Sequence, residues 1–257
     1  MEAEEEKIVG HAKEAIHALT DKKKSWKEKI GSFLWEILII IIAVNLTIWF
    51  HSWSDKRHER ELEKEFLIGT KGDLETIKNS LEHNYIRFEK SVNEYYNTIW
   101  KQINEQRIDK DYVDSNATRL LLSGNNFIYD NSRFESYKFS GNLRLVENAE
   151  LLKDITHLYF LLENQVESDK AYYGGKGNSF LPVFAKNNKR VSHFSDILNT
   201  PEITSILSSY VDTSNENLYF KQRLLLEVEK VITEIDKELK DRFGYEPPKE
   251  EAKKSGE

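Results

Sequence analysis

The chain has 257 residues, a formal net charge of −7 and no cysteine. That balance excludes a nucleic-acid role built on a basic surface, and the lack of thiols excludes both a disulfide framework and a thiolate metal site. Only four prolines occur and 32% of residues are charged, a composition that suits long helices, since proline breaks a helix interior and charges clothe its wet face.

Residues 1–31 read as an amphipathic and basic segment. Ile8, Ala12, Ala15, Ile16 and Leu19 form a weak apolar stripe, followed by Lys22, Lys23, Lys24, Lys27 and Lys29. The stretch 32–53, containing "FLWEILIIIIAVNLTIWFHSW", reads as a transmembrane helix. Twelve of its eighteen residues from Phe33 to Phe50 are Ile, Leu, Val or Phe, together worth about −4 to −7 kcal/mol on the insertion scale. Glu36 lies in the first turn, where a carboxyl reaches the headgroup layer, and Asn45 is one mid-membrane amide that does not cancel the sum. Trp35 at one end and Trp49 and Trp53 at the other place amphipathic rings at both interfaces. A cleaved signal peptide has a shorter apolar core and a small-residue cleavage site, and "TIWFHSWSDKR" supplies neither. The eight apolar residues from Ile37 to Val44 leave no polar face for a soluble helix. For Asn45 we expect a hydrogen bond to a second membrane helix, its own copy or a partner, worth about 0.6 kcal/mol and up to about 2.

Residues 54–243 read as a helical domain outside the membrane. Leu74, Ile77, Leu81, Tyr85, Phe88, Val92, Tyr95, Ile99 and Ile103 recur every 3.6 residues or so, the period of a helix packed on a globular neighbour. No proline separates this stripe from the membrane span, so one long helix is expected, weakest at Gly69 and Gly72. "DYVDSNATRLLLSG" reads as a helix stopped by Gly124, and "NSRFESYKFSGN" as a short helix closed by Ser140 and Gly141. Asn148 caps a helix whose stripe is Leu151, Ile155, Leu158, Leu162 and Val166. The stretch from Gly174 to Ser195 has no clear period and three glycines, so it reads as the domain's long loop. Thr200 caps a helix with Pro201 and Glu202 in its first turn, and Leu225, Val228, Ile232, Ile235 and Leu239 mark a long terminal helix. Residues 244–257 form a solvated tail. The fold class expected is all-α, with four or five packed helices in a bundle-like soluble domain.

Several stretches carry a resemblance to a known family: "EILIIIIAVNLTIWFHSWSDKR", "EKEFLIGTKGDLETI", "YKFSGNLRLVENAELLKDITHLYF" and "LNTPEITSILSSY" with "VITEIDKEL". Together they resemble the bacterial membrane-anchored family known as domain of unknown function 6090. The matching positions are Glu36, Trp53, Lys56, Arg57, Ser140, Gly141, Leu143, Leu145 and Leu151, and the chain departs from the pattern at Ala43, Asn45, Trp49, His51 and Ser52. The resemblance implies an anchored helical protein of a bacterial cytoplasmic membrane and carries no catalytic residue across. The charge rule is nearly balanced between the lysines before the span and Lys56, Arg57, Arg60 and Lys64 after it, with a slight bias towards a cytoplasmic N-terminus and a periplasmic C-terminal domain.

Candidate chemistry is sparse. His51, Asp55 and His58 share a helix face with a spacing that a divalent metal accepts, although ordinary interfacial polar residues look the same. "GGKGNS" at Gly174 lacks the spacing and preceding strand of a phosphate loop, and His157 in a leucine-rich helix reads as a satisfied core residue. "ENLYFK", ending at Lys221, lies inside a helical pattern and reads as native sequence. "NAT" at Asn116 is a glycosylation acceptor only in a cell with that machinery. No cofactor is expected. The expected function is a non-enzymatic, anchored interaction or scaffold module, with membrane lipid and either a second copy or a membrane protein as partners. The alternatives are a membrane-coupled sensor or ligand-binding domain, and a subunit of an oligomeric ion-conducting bundle in which Glu36 carries protons.

Overall fold

The computed structural model describes residues 26–122 and 124–245. The apolar stripe at Ile8 to Leu19, the run Lys22 to Lys24 and the tail from residue 246 lie outside the described residues. Among these, the chain is all-α with no strand. Six α-helices follow in order: α1 Trp26–Ser80, α2 Ile86–Asn104, α3 Lys110–Ala117, α4 Ser132–Phe139, α5 Ala149–Lys186 and α6 Pro201–Phe243.

The chain divides into two units, one ending at Leu62 and the other beginning at Glu63. In the first unit, α1 is exposed from residue 51 to residue 61, and none of Phe33 to Phe50 is buried. That charged, exposed stretch is why packing starts at Glu63 rather than at residue 54.

The second unit is built from the end of α1 with α2, α5 and α6. α1 passes unbroken through Gly69 and Gly72. At Gly69 the missing side chain admits the Arg133 guanidinium, which a Cβ would meet at 2.4 Å, and Arg133 then bonds Asp73 at 2.9 Å. The disturbance comes later, where Leu81–Tyr85 forms a π-helical turn before α2, an irregularity often found beside functional positions. The predicted stripe is otherwise realised: Leu74, Ile77, Leu81, Tyr85, Val92, Tyr95 and Ile99 are all buried.

Two separate apolar cores result. The first joins Leu74 of the α1 end and Leu81 of the π turn to Ile155 and Leu162 of α5 and to Val228 and Ile235 of α6, with Phe127 and Phe134 of the α4 region closing it. The second joins Val92 and Ile99 of α2 to Phe180 and Phe184 of α5 and to Leu207 and Val211 of α6. The rod formed by the α1 end, the π turn and α2 therefore runs from the first core to the second, as α5 does, and α6 returns. The short α3 and the 3₁₀ turn Val191–Asp196 are tied together over the second core by Asp114, which accepts both the Ser195 N–H and its hydroxyl at 2.8 Å.

The helix starts are those the sequence marks. Asn148 accepts the Leu151 N–H at 3.1 Å, and Thr200 accepts the Ile203 N–H at 3.4 Å ahead of Pro201. Gly244, at φ +60°, closes α6, with Tyr245 N–H bonded to Leu239 O at 3.1 Å. Gly174 to Ser195 is a different matter. Its first part is not a loop, because α5 continues to Lys186 through Gly174, Gly175, Gly177 and Pro182. The burial of Tyr172, Tyr173, Phe180, Val183 and Phe184 outweighs a propensity cost of about 1 kcal/mol per glycine. The helices starting at Thr200 and marked by Leu225 to Leu239 are likewise one, α6.

Gly124 does more than stop a helix. A Cβ there would lie 2.7 Å from the Tyr173 ring, too close for either group to accommodate without movement. Gly124→Ala is expected to destabilise the full-length protein in detergent by about 1–3 kcal/mol, measured as a lowered thermal midpoint; an unchanged midpoint would show that the ring yields freely.

Candidate functional site

Between the two cores, all three long helices turn polar at the same level. Tyr85 and Val92 flank Glu89 on α2, Leu162 and Phe180 flank Gln165, Asp169 and Lys176 on α5, and Val211 and Leu224 flank Ser214, Asn217 and Lys221 on α6. Glu89, Asp169, Lys176 and Lys221 are each 0% exposed. The Lys221 ammonium donates to Asp169 Oδ1 at 2.7 Å, to Glu89 Oε1 at 3.1 Å and to Asn217 Oδ1 at 3.3 Å. Tyr173 donates its hydroxyl to the same Glu89 oxygen. Asp169 also accepts Gln165 Nε2 at 2.8 Å and, through Oδ2, the Phe127 N–H at 2.9 Å. One lysine thereby joins α2, α5 and α6, and its aspartate partner fixes the loop that carries Phe127.

The second lysine has a different environment. Lys176 Nζ stands 5.2 Å from the Tyr173 ring centre, 5.5 Å from that of Tyr172 and 5.9 Å from that of Tyr96, an arrangement in which ring quadrupoles attract the ammonium. Burial nevertheless lowers Lys176 to about 8, with the Glu89 charge acting in the opposite direction. Burial also lifts Glu89 above the usual carboxylate range, against the lowering effect of Lys221. Among the described residues, the Glu89 Oε2 atom and the Tyr96 and Tyr172 hydroxyls have no hydrogen-bond partner. Each such buried group costs about 1–3 kcal/mol, so the layer is partly satisfied rather than fully so. Full burial of its charged members leaves it able to hold protons and helices but not to touch a substrate.

The residues singled out in the sequence fall elsewhere. Trp35, Trp49 and Trp53 are exposed on α1, Glu36 is half-buried among its helix neighbours, and Asn45 donates to Ile41 O of its own helix at 2.7 Å. That bond occupies one N–H of the Asn45 amide and leaves its carbonyl oxygen to a neighbour. His51 and Asp55 are 3.7 Å apart on the exposed surface, and His58 is exposed as well. Among the described residues, no group of three His, Asp or Glu side chains is gathered for a metal. "GGKGNS" is helical, which removes the phosphate-loop geometry. His157 is not a core residue: it is exposed, because the buried stripe of α5 passes through Ile155 and Leu158 instead.

Glu89, Asp169, Lys176 and Lys221 were missed by apolar periodicity, which treats a lysine as an interruption. The available signal was a charged residue at a stripe position on each helix, such as Lys221 three residues before Leu224 and seven before Val228.

Compared with known proteins, the chain matches no family model, no curated protein and no solved structure. What the fold and site define, among the described residues, is an all-α protein with one helix, near the N-terminus, long and apolar enough to cross a membrane, its apolar window having a mean hydropathy of 2.2.

Two outcomes test the layer. Lys221→Met leaves two buried carboxylates without their cation and is expected to destabilise the protein by about 3–5 kcal/mol in thermal or urea unfolding; a loss below about 1 kcal/mol would contradict the linkage of three helices through this ammonium. For Lys176 the folded state binds fewer protons than the unfolded chain between about pH 8 and 10.5, so its contribution to stability rises with pH across that window, and its cost of about 3 kcal/mol is fully present below it. Lys176→Met is therefore expected to raise the thermal midpoint at pH 7, with an advantage that shrinks towards pH 10.5; a pH-independent difference would assign the effect to packing.

Proposed function

We propose that this chain is a single-pass, membrane-anchored helical interaction or scaffold protein, with the N-terminus cytoplasmic and residues 63–245 periplasmic in a bacterial cytoplasmic membrane. The observation that carries the reading is that no residue from Phe33 to Phe50 is buried and all but Glu36, Ile37 and Ile40 are exposed, eighteen positions of which twelve are Ile, Leu, Val or Phe. Such a surface needs an apolar covering, and its length of about 27 Å at 1.5 Å per residue suits a hydrocarbon core of about 30 Å. The resemblance to domain of unknown function 6090 at Glu36, Trp53, Lys56 and Arg57 supports the bacterial assignment, and the small excess of lysine before the span supports the orientation. α6 presents Tyr219, Phe220 and Leu226, each more than half exposed, as surface for a protein partner, while the buried charged layer keeps the body rigid.

The proposal makes the anchor's polar residues dispensable for assembly and the exposed aromatics indispensable. Glu36→Gln and Asn45→Leu are expected to leave localisation and complex formation intact, whereas Tyr219→Ser with Phe220→Ser is expected to lose a stoichiometric partner recovered by affinity purification from native membranes. Loss of function from Glu36→Gln alone, with normal assembly, would favour an ion-conducting bundle and contradict the scaffold reading. Protease added to spheroplasts is expected to digest residues 63–245; protection of that portion would reverse the orientation.

A further inference from the structure

Away from the charged layer, α4, α5 and the loop before α4 enclose a cleft of about 580 Å³, within the range that small-molecule sites occupy. Its wall is aromatic. Phe134 and Tyr159 stack at 4.1 Å with their planes 7° apart, Tyr129 adjoins Tyr159 at 6.3 Å, and the exposed Phe160 closes the rim. Two carboxylates, Glu135 and Glu163, line the same cleft, and both raise Tyr129 further after burial has done so, which brings their charges within electrostatic reach of its hydroxyl. The chain places one cation of its own there. Lys138 Nζ stands 6.0 Å over the Phe134 ring and donates to Glu135 at 3.1 and 3.4 Å, from a side chain that is 55% exposed. Arg133, the next nearest cation in sequence, is held by Asp73 at 2.9 Å.

Aromatic faces with flanking carboxylates attract ammonium groups and repel anions. Against two acids the lining has one lysine, and that lysine is held only by a solvent-screened pair with Glu135. We propose that this cleft binds a small organic cation, a quaternary or alkyl ammonium, which displaces the Lys138 ammonium from the Phe134 face and Glu135. Glu163 supplies the second carboxylate, and Phe160 folds its exposed ring over the bound methyl groups. The inference does not depend on the anchored reading or on any partner protein.

Isothermal titration of the full-length protein in non-ionic detergent tests it, with choline and tetramethylammonium as probes and 3,3-dimethylbutan-1-ol as the neutral isostere of choline. Both cations are expected to bind in the millimolar range and the alcohol not to bind. Lys138→Ala is expected to tighten choline binding several-fold, because the internal competitor is gone. Phe160→Ala and Glu163→Gln, both at exposed positions and checked for unchanged helicity, are expected to weaken it by about two- to fivefold. Equal binding of choline and the alcohol would overturn the proposal, as would the absence of cation binding by both the wild type and Lys138→Ala. Weaker binding after Lys138→Ala would also overturn it, since the lysine would then belong to the site rather than compete for it.

Discussion

Eighteen consecutive residues, none of them buried among the described residues, set the terms for this protein. From Phe33 to Phe50 the helix turns apolar side chains outward on every side, and water around such a surface costs roughly 25 cal/mol for each Å². Among the described residues nothing covers it, and a bilayer would do so without specific contacts. The same constraint accounts for the polar exceptions. Glu36 stands at the end of the run, and both Asn45 and Thr47 turn back to carbonyls of their own helix, at 2.7 and 2.9 Å. Satisfying polar groups inside the helix is what a hydrocarbon surrounding demands.

The body from Glu63 onward answers to the opposite rule. Two ordinary apolar cores are separated by a layer in which Lys221, Asp169 and Glu89 share charge-assisted bonds with no exposure to solvent. Hydrophobic residues at those positions would hold the helices at least as strongly. What an ammonium between two carboxylates adds is register: sliding α6 by one turn would strand three charges in a dry interior. A second hub fixes the end of the domain near Glu63, where Arg242 bonds Glu63 at 2.7 Å, Glu238 at 2.8 Å and Glu147 at 2.5 Å. Asn148 joins it through Glu238 at 2.7 Å while capping α5. Helix ends and helix middles are thus each pinned by one buried or half-buried cation.

These two rules also explain what could be read in advance. The membrane-length run, the stripe from Leu74 to Ile99 and the caps Asn148 and Thr200 are legible because each rests on a local pattern, either apolar spacing or a side chain that meets an N–H three residues on. The continuation of α5 past Gly174 was hidden because Lys176 occupies the stripe position that would have completed the period between Tyr172 and Phe180. In α6, Ser214, Asn217 and Lys221 hide the continuity between Val211 and Leu224 for the same reason. Sequence patterning assigns a lysine to water; only long-range pairing, 52 residues away to Asp169 and 132 to Glu89, makes its burial tolerable. The cleft beside Phe134 was equally invisible, since its rings and acids come from the loop before α4, from α4 and from α5.

The proposed attachment of the protein to lipid is tested most directly by washing membranes that contain the full-length chain with alkaline carbonate and recovering the pellet by high-speed centrifugation. The account predicts that the protein stays with the bilayer and is released by detergent alone. Recovery in the supernatant without detergent would contradict it, because the apolar surface from Phe33 to Phe50 would then have to be covered by protein.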